Sequence, residues 1–174
     1  MPDHPSAGEF MSDHTTNDPR PALEIELVPR SCFFSNLRSN LRPKDWKKLR
    51  LDTSARAGGR CEICGSRNYN RSLECHEIWY YDEETLTQRL TGLVALCREC
   101  HRAKHMALAR EMGWETQARR HLMRVNGWSA RKVNTYIEEA FAEFETRSQL
   151  SWKLDISWLD GLDVEIPDKL DRDQ

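Results

Sequence analysis

Cys61-Glu-Ile-Cys64 and, 32 residues further on, Cys97-Arg-Glu-Cys100-His101-Arg-Ala-Lys-His105 are the stretches that decide the fold of this chain. A Cys-x-x-Cys turn lets two thiolates meet one tetrahedral ion, and a second such turn closes the site with four sulfurs, the arrangement of structural zinc. In a reducing compartment the four cysteines read as metal ligands rather than disulfide partners. Such a site contributes about 10 kcal/mol or more in small modules, enough to hold a domain with a thin core. Cys32 and Cys75 stand outside both pairs and read as ordinary thiols.

A second set of ligand-type residues lies in and around the first. His101 and His105 are four apart on an expected helix, so both imidazoles leave one face and can share a metal. His76, in Leu73-Glu-Cys-His76-Glu77-Ile78-Trp, falls between the cysteine pairs and is available as a third nitrogen.

Working outward, residues 1–21 contain four prolines and no periodic apolar pattern, which is the composition of a flexible arm. Over 22–59, Leu23, Ile25 and Leu27 alternate with glutamates as in a half-buried strand ending at Pro29. Pro43 then opens a helix with Trp46, Leu49 and Thr53 on one face, closed by Gly58-Gly59. The cluster module spans 60–112, with Cys100 to Met112 helical up to Gly113. Over 113–160 the pattern predicts a helix from Glu115 to Val125 and another capped by Ser129, with Val133, Ile137, Ala140, Phe141 and Phe144 as its apolar stripe. Trp152, Leu154, Ile156 and Trp158 alternate with polar residues as in a strand, and 161–174 is an acidic tail. The expected class is α+β, with a zinc-stapled core carrying added helices and short flanking strands.

Charge is near balance at −2, but it is segregated. Residues 30–60 carry +7 and 101–135 carry +6, against −5, −3 and −7 over 1–29, 61–100 and 136–174. Both basic blocks flank the ligand cluster, where phosphate contacts would be needed if it worked on nucleic acid. Lys44, Lys47, Lys48, Arg50, Arg102 and Lys104 are the candidate phosphate contacts. No apolar stretch approaches a membrane span of about 20 residues. The N-terminus lacks the basic start and apolar run of a secretory signal, so a cytoplasmic setting without a membrane partner is expected.

Across Cys61 to about His105 the chain resembles the HNH endonuclease family, whose ββα-metal motif is often fastened by a four-cysteine zinc site. Leu73-Glu-Cys-His76-Glu77-Ile78 is similar to the first-strand motif of that family, in which one residue of the pair binds the catalytic metal and the next is the general base. Cys97 to His105 is similar to the helix that supplies the last histidines. The stretches from Leu27 to Arg60 and from His121 to Trp158 also resemble those of bacterial HNH endonucleases. The resemblance implies a ββα-metal core, phosphodiester hydrolysis on nucleic acid with DNA as the expected form, and catalytic roles for His76, Glu77 and His101. It also implies that His76, His101 and His105 hold a second divalent ion, Mg²⁺, Mn²⁺ or Zn²⁺, beside the structural Zn²⁺.

Two positions depart from the pattern: Glu77 stands where the base is usually histidine, and Gly92 stands where an asparagine is expected. A glutamate near pKa 4.3 is a weaker base than imidazole near pH 7, although a metal lowers the demand on it. A zinc-stabilised nucleic-acid-binding module without catalysis, and an adaptor in which zinc only staples the fold, stay open at this point.

Overall fold

The computed structural model describes residues 20–67 and 72–167. At its centre β1 (Glu74–Asp82) and β2 (Thr87–Leu96) pair antiparallel. Aromatic and β-branched residues dominate Ile78 to Tyr81, as suits a pleated half-buried surface. The hairpin turns at Asp82, whose Oδ1 accepts the N–H groups of Glu84 and Thr85, both at 3.1 Å. That is an Asx turn, an aspartate imitating the backbone acceptor of a tight bend. The register shifts between Ile78 and Trp79. β3 (Lys153–Asp155) adds in parallel to β2, giving the order β1-β2-β3.

Helices cover both faces of the hairpin. On one side lie α1 (Leu37–Asn40) and α2 (Pro43–Arg56), closing a core of Leu37, Leu41, Leu49, Leu90, Leu93 and Ile156. On the other lies α3 (Arg98–Lys104), backed by α4 (Met106–Glu111), α5 (Glu115–Asn126) and α6 (Ala130–Arg147). Leu23, Leu96, Met106, Leu122, Val133 and Ile137 fill this second core. Each fully buried aliphatic side chain contributes about 1.5–3 kcal/mol, so the two clusters and the cysteine cluster together hold a thin sheet. The class is α+β, as the pattern predicts, and among the described residues no helix is long and apolar enough to cross a membrane.

The α2 helix begins at Pro43 and ends before Gly58 and Gly59, whose φ angles of 58° and 71° take the chain out of the helix. Likewise α5 ends at Gly127 in the left-handed region, and the Ser129 side chain caps α6 by accepting the Lys132 N–H at 3.2 Å. Other expectations need correction. Residues 22–29 form no strand: the Leu23 N–H and C=O pair with the Asn126 side chain, Ile25 N–H donates to the Tyr136 hydroxyl, and Glu26 N–H to the Lys104 carbonyl. Their alternation is satisfied by helices instead of a neighbouring strand. The single helix expected from Cys100 to Met112 is broken at His105 (φ −88°, ψ 55°). The strand expected over Trp152 to Trp158 lasts only three residues, because Ile156 (ψ 21°) turns the chain into a 3₁₀ turn at Ser157–Leu159. The flexible arm expected over 1–21 lies outside the described residues apart from Arg20 and Pro21.

Candidate metal centres

The turn after α2 presents Cys61 and Cys64. Gly65, at φ 70°, lets it close, with Gly65 N–H donating to the Cys61 carbonyl at 2.9 Å. Glu62 fastens this turn to β2: its N–H donates to the Ala95 carbonyl at 2.9 Å and its carboxylate accepts the Ala95 N–H at 2.7 Å. Cys97 follows directly on β2 and caps α3, and Cys100 lies in the first turn of α3. The four sulfurs lie within 4.8 Å of one another, Cys64 and Cys97 at 3.7 Å. For bonds of about 2.3 Å, the edge of a tetrahedral ZnS₄ site is about 3.8 Å. The four thiols therefore suit one tetrahedral ion such as zinc.

The thiols also compete for protons. Hydrogen bonding from Cys100 and Cys61 holds Cys97 far below the usual thiol range, whereas hydrogen bonding to Cys61 and Cys97 pushes Cys100 far up. One thiol of the group is thus favoured as the thiolate while its neighbours hold their protons, the mark of sulfurs packed as closely as ligands of one ion. One supporting residue carries no signal in the local sequence: His121 on α5, buried, with Nε2 3.1 Å from the Cys100 sulfur. Arg124 Nη2 lies 2.7 Å from His121 Nδ1. A guanidinium only donates, so Nδ1 accepts and the ring proton sits on Nε2, aimed at the sulfur.

On the other side of α3, His76, His101 and His105 converge. His76 comes from the face of β1 turned toward α3. His105 Nε2 is 3.1 Å from His76 Nδ1 and 3.2 Å from His101 Nε2. The helix break at His105 accompanies this convergence, its ring meeting His101 edge to face with centroids 4.5 Å apart. Burial first, then the charges of neighbouring cationic groups, pushes His101 down to about 3 and His105 down to about 4. Both rings are therefore neutral near pH 7, the form a metal requires.

Glu26 fixes the third. Its Oε2 lies 3.3 Å from His76 Nε2 and accepts the Lys104 ammonium at 3.2 Å. Burial alone would raise the Glu26 carboxyl, but the hydrogen bonds and charges of His76 and Lys104 outweigh it and hold the group below the carboxylate range. An ionised carboxylate only accepts, so the proton of His76 sits on Nε2 and its Nδ1 lone pair faces the other two histidines. The three ring nitrogens face one another at distances that one shared cation would satisfy. A carboxylate behind a ligating imidazole is the usual means of holding such a ligand. Glu26 stands 50 residues before His76, and only the tertiary fold brings them together.

Other candidates sit elsewhere. Glu77 is not part of the convergent set: alternation turns it to the opposite face of β1, where its Oε1 accepts the Leu37 N–H at 3.0 Å and caps α1. Gly92 lies on β2 opposite Ile78, and an added Cβ would meet only Ile78 Cδ1 at an ordinary 3.7 Å. Lys104 is buried in its pair with Glu26 and offers nothing to a phosphate. Lys44 and Lys47 are exposed on α2. Arg50, on the same helix, lies near Cys75, whose thiol burial pushes up to about 11. That helix lies across the sheet from the histidines, and Lys48 is paired with Asp163 of the acidic tail. Of the expected phosphate contacts only Arg102 is beside the site. It lines a cleft of about 190 Å³ with Glu74, Arg98, His101, His105 and Trp114. Glu74, two residues before His76, shares its face. No family model, curated protein or solved structure matches the chain.

Proposed function

We propose that this chain is a metal-dependent nuclease of the HNH type, hydrolysing phosphodiester bonds of nucleic acid, DNA being the expected substrate. The observation that carries the reading is the convergence of His76 Nδ1, His101 Nε2 and His105 Nε2 on one point, with the tautomer of His76 set by Glu26. The order β1-β2-α3, with its four-cysteine cluster as a structural zinc site, agrees with the family resemblance. Free thiols in that cluster suit a reducing cytoplasm.

The donor set, three imidazole nitrogens, fits a borderline divalent ion such as Zn²⁺ best, Mn²⁺ less well, and Mg²⁺, which prefers oxygen ligands, poorly. When bound, such an ion supplies Lewis acidity to a phosphoryl oxygen and to the leaving oxygen. The chain's own residues do the rest. Glu26 keeps the His76 proton on Nε2, so that Nδ1 stays a donor of electrons. Burial keeps His101 and His105 neutral. Arg98 and Arg102 position the substrate backbone at the cleft wall. Glu74 lines the same cleft, and we assign to it the proton-accepting role expected of Glu77.

A second reading, a zinc-stapled binding module without catalysis, is favoured by the position of Glu77 as a helix cap and by the glycine at position 92. Cleavage of supercoiled plasmid with Zn²⁺, Mn²⁺ or Mg²⁺ separates the two. The nuclease reading expects His76→Ala and His101→Ala to abolish cutting, Glu74→Gln to slow it by about 10²–10⁴-fold, and Glu77→Gln to leave it. Cutting by both histidine variants at the wild-type rate would end this site assignment. Salt-sensitive binding by the wild type with no cutting under any of the three ions would establish the binding module.

A further inference from the structure

Beside the cysteine cluster lies a second cleft of about 450 Å³, lined by Arg67, Arg98, Arg102 and Arg124, with Glu99 the opposing carboxylate. Arg98 and Arg102 line this cleft and the histidine cleft alike, so the two adjoin along α3. Two of the arginines are held in place. Arg102 lies over the Trp114 ring with Cζ 3.8 Å from its centroid, and Arg124 is tied to His121 at 2.7 Å. Guanidinium groups fixed in this way lose little freedom when they meet a phosphate and can engage two of its oxygens at once.

We propose that this arginine cleft is a phosphate-binding subsite that holds the nucleic-acid backbone next to the phosphate at the histidines. The inference rests on the nucleic-acid reading of the histidine site and extends it to where the strand runs. Charge favours this path over the basic helix α2, which lies across the sheet. There Lys48 and Arg42 are already paired with Asp163 and Glu165. An acidic peptide would also meet positive charge, but a row of guanidiniums leading from a metal-type site suits a polyanion of regularly repeated phosphates. Such contacts fix the register of the strand and read no base.

The test is anisotropy binding of a labelled duplex, and of a single strand of equal length, to the full zinc-loaded chain across a salt series without added Mg²⁺ or Mn²⁺. Each lost phosphate contact lowers the slope of log K against log salt by about 0.9 on duplex. Arg98→Gln should lower it by about 1, and Arg98→Gln with Arg124→Gln by about 2, with affinity down at least about tenfold near 0.1 M salt. Arg98→Lys should keep the slope. Lys153→Gln, on β3 opposite Thr87 at the end of β2 remote from Cys97, removes one charge and should bind as wild type. Zinc content and far-ultraviolet dichroism guard against misfolding, and the Arg98→Gln variant leaves the His121 contact untouched. Wild-type slope and affinity in both arginine variants, with plasmid cutting intact, would overturn the cleft and leave the nuclease standing. Loss of binding in the variants of a protein that cuts nothing would uphold the cleft and overturn the nuclease. A wild type that binds neither probe would overturn both.

Discussion

Replacing Glu26 by alanine removes the carboxylate that joins a group of three, with Lys104 at 3.2 Å and His76 at 3.3 Å from its Oε2. Both partners of the ion pair are nearly sealed from water, the side chains 14% and 8% exposed. Removing one member of such a pair strands the other, at about 3–5 kcal/mol. Against a typical total of about 5–15 kcal/mol, that is a large share of stability. Glu26→Leu with Lys104→Met leaves no stranded ammonium, and should recover at least about 2 kcal/mol of the loss, a coupling that a double-mutant cycle reads directly. Urea unfolding of the zinc-loaded protein gives these numbers. Titration with Mn²⁺ should show affinity at the histidines falling by about 10–100-fold in Glu26→Ala, because His76 loses the acceptor that sets its tautomer. The pH dependence has a definite sign. The folded carboxyl is held below its ordinary 4.5, so its contribution is complete above about pH 4.5 and is lost as pH falls through the depressed folded value. The gap in stability between wild type and Glu26→Gln should therefore narrow only on the acid side of 4.5. A Glu26→Ala protein within about 1 kcal/mol of wild type, with unchanged Mn²⁺ affinity, would refute the reasoning.

Cys97→Ser should release the tightly held zinc and with it most of the tertiary structure, read by colorimetric zinc assay and near-ultraviolet dichroism; folding that persists without zinc would contradict the thin-core argument. His121→Phe keeps the bulk but removes the N–H aimed at the Cys100 sulfur, and zinc affinity should fall about 10–100-fold in competition with a chelator. Glu77→Ala leaves the Leu37 N–H without its acceptor at the start of α1, which should cost about 1 kcal/mol in urea while plasmid cutting continues. Gly92→Ala should be neutral or stabilise by up to about 1 kcal/mol, since the strand position is open to a Cβ and glycine carries extra unfolded-state freedom. A large loss would show a close approach that the 3.7 Å contact does not.

The cysteine pairs and the three histidines are legible in the sequence because their logic is local. A Cys-x-x-Cys turn is one bend, and His101 and His105 are one helical turn apart. His76 follows once the hairpin returns beside α3. Glu26 and His121 are not legible, since nothing near either residue announces a metal, and each reaches its centre from another part of the chain. Alternation at Leu23 to Leu27 reads the partner wrongly: helices α3, α5 and α6 cover the segment, and Glu26, an outward position in the strand reading, is covered with the rest. The basic block at 30–60 shows a related limit. Its charge count is right, but the sheet separates α2 from the histidines, and Asp163 and Glu165 pair with Lys48 and Arg42. Glu77 illustrates how sharply a strand divides its neighbours, since one step along β1 moves a carboxylate from the metal side to a helix cap.

Helix α3 has seven residues, too few to hold its shape alone in water. Yet its first turn carries Cys100 and its next residues carry His101 and Lys104, with His105 at its end. Whatever organises the sulfur end must also order the nitrogen end, so under the proposed function ions bound at the two clusters would be thermodynamically linked. Each strengthens the hold on the other by the same factor. Loading should follow a sequence, the sulfur-bound ion first and the exchangeable one second. A chelator strong enough to strip the former would silence the latter without ever touching it.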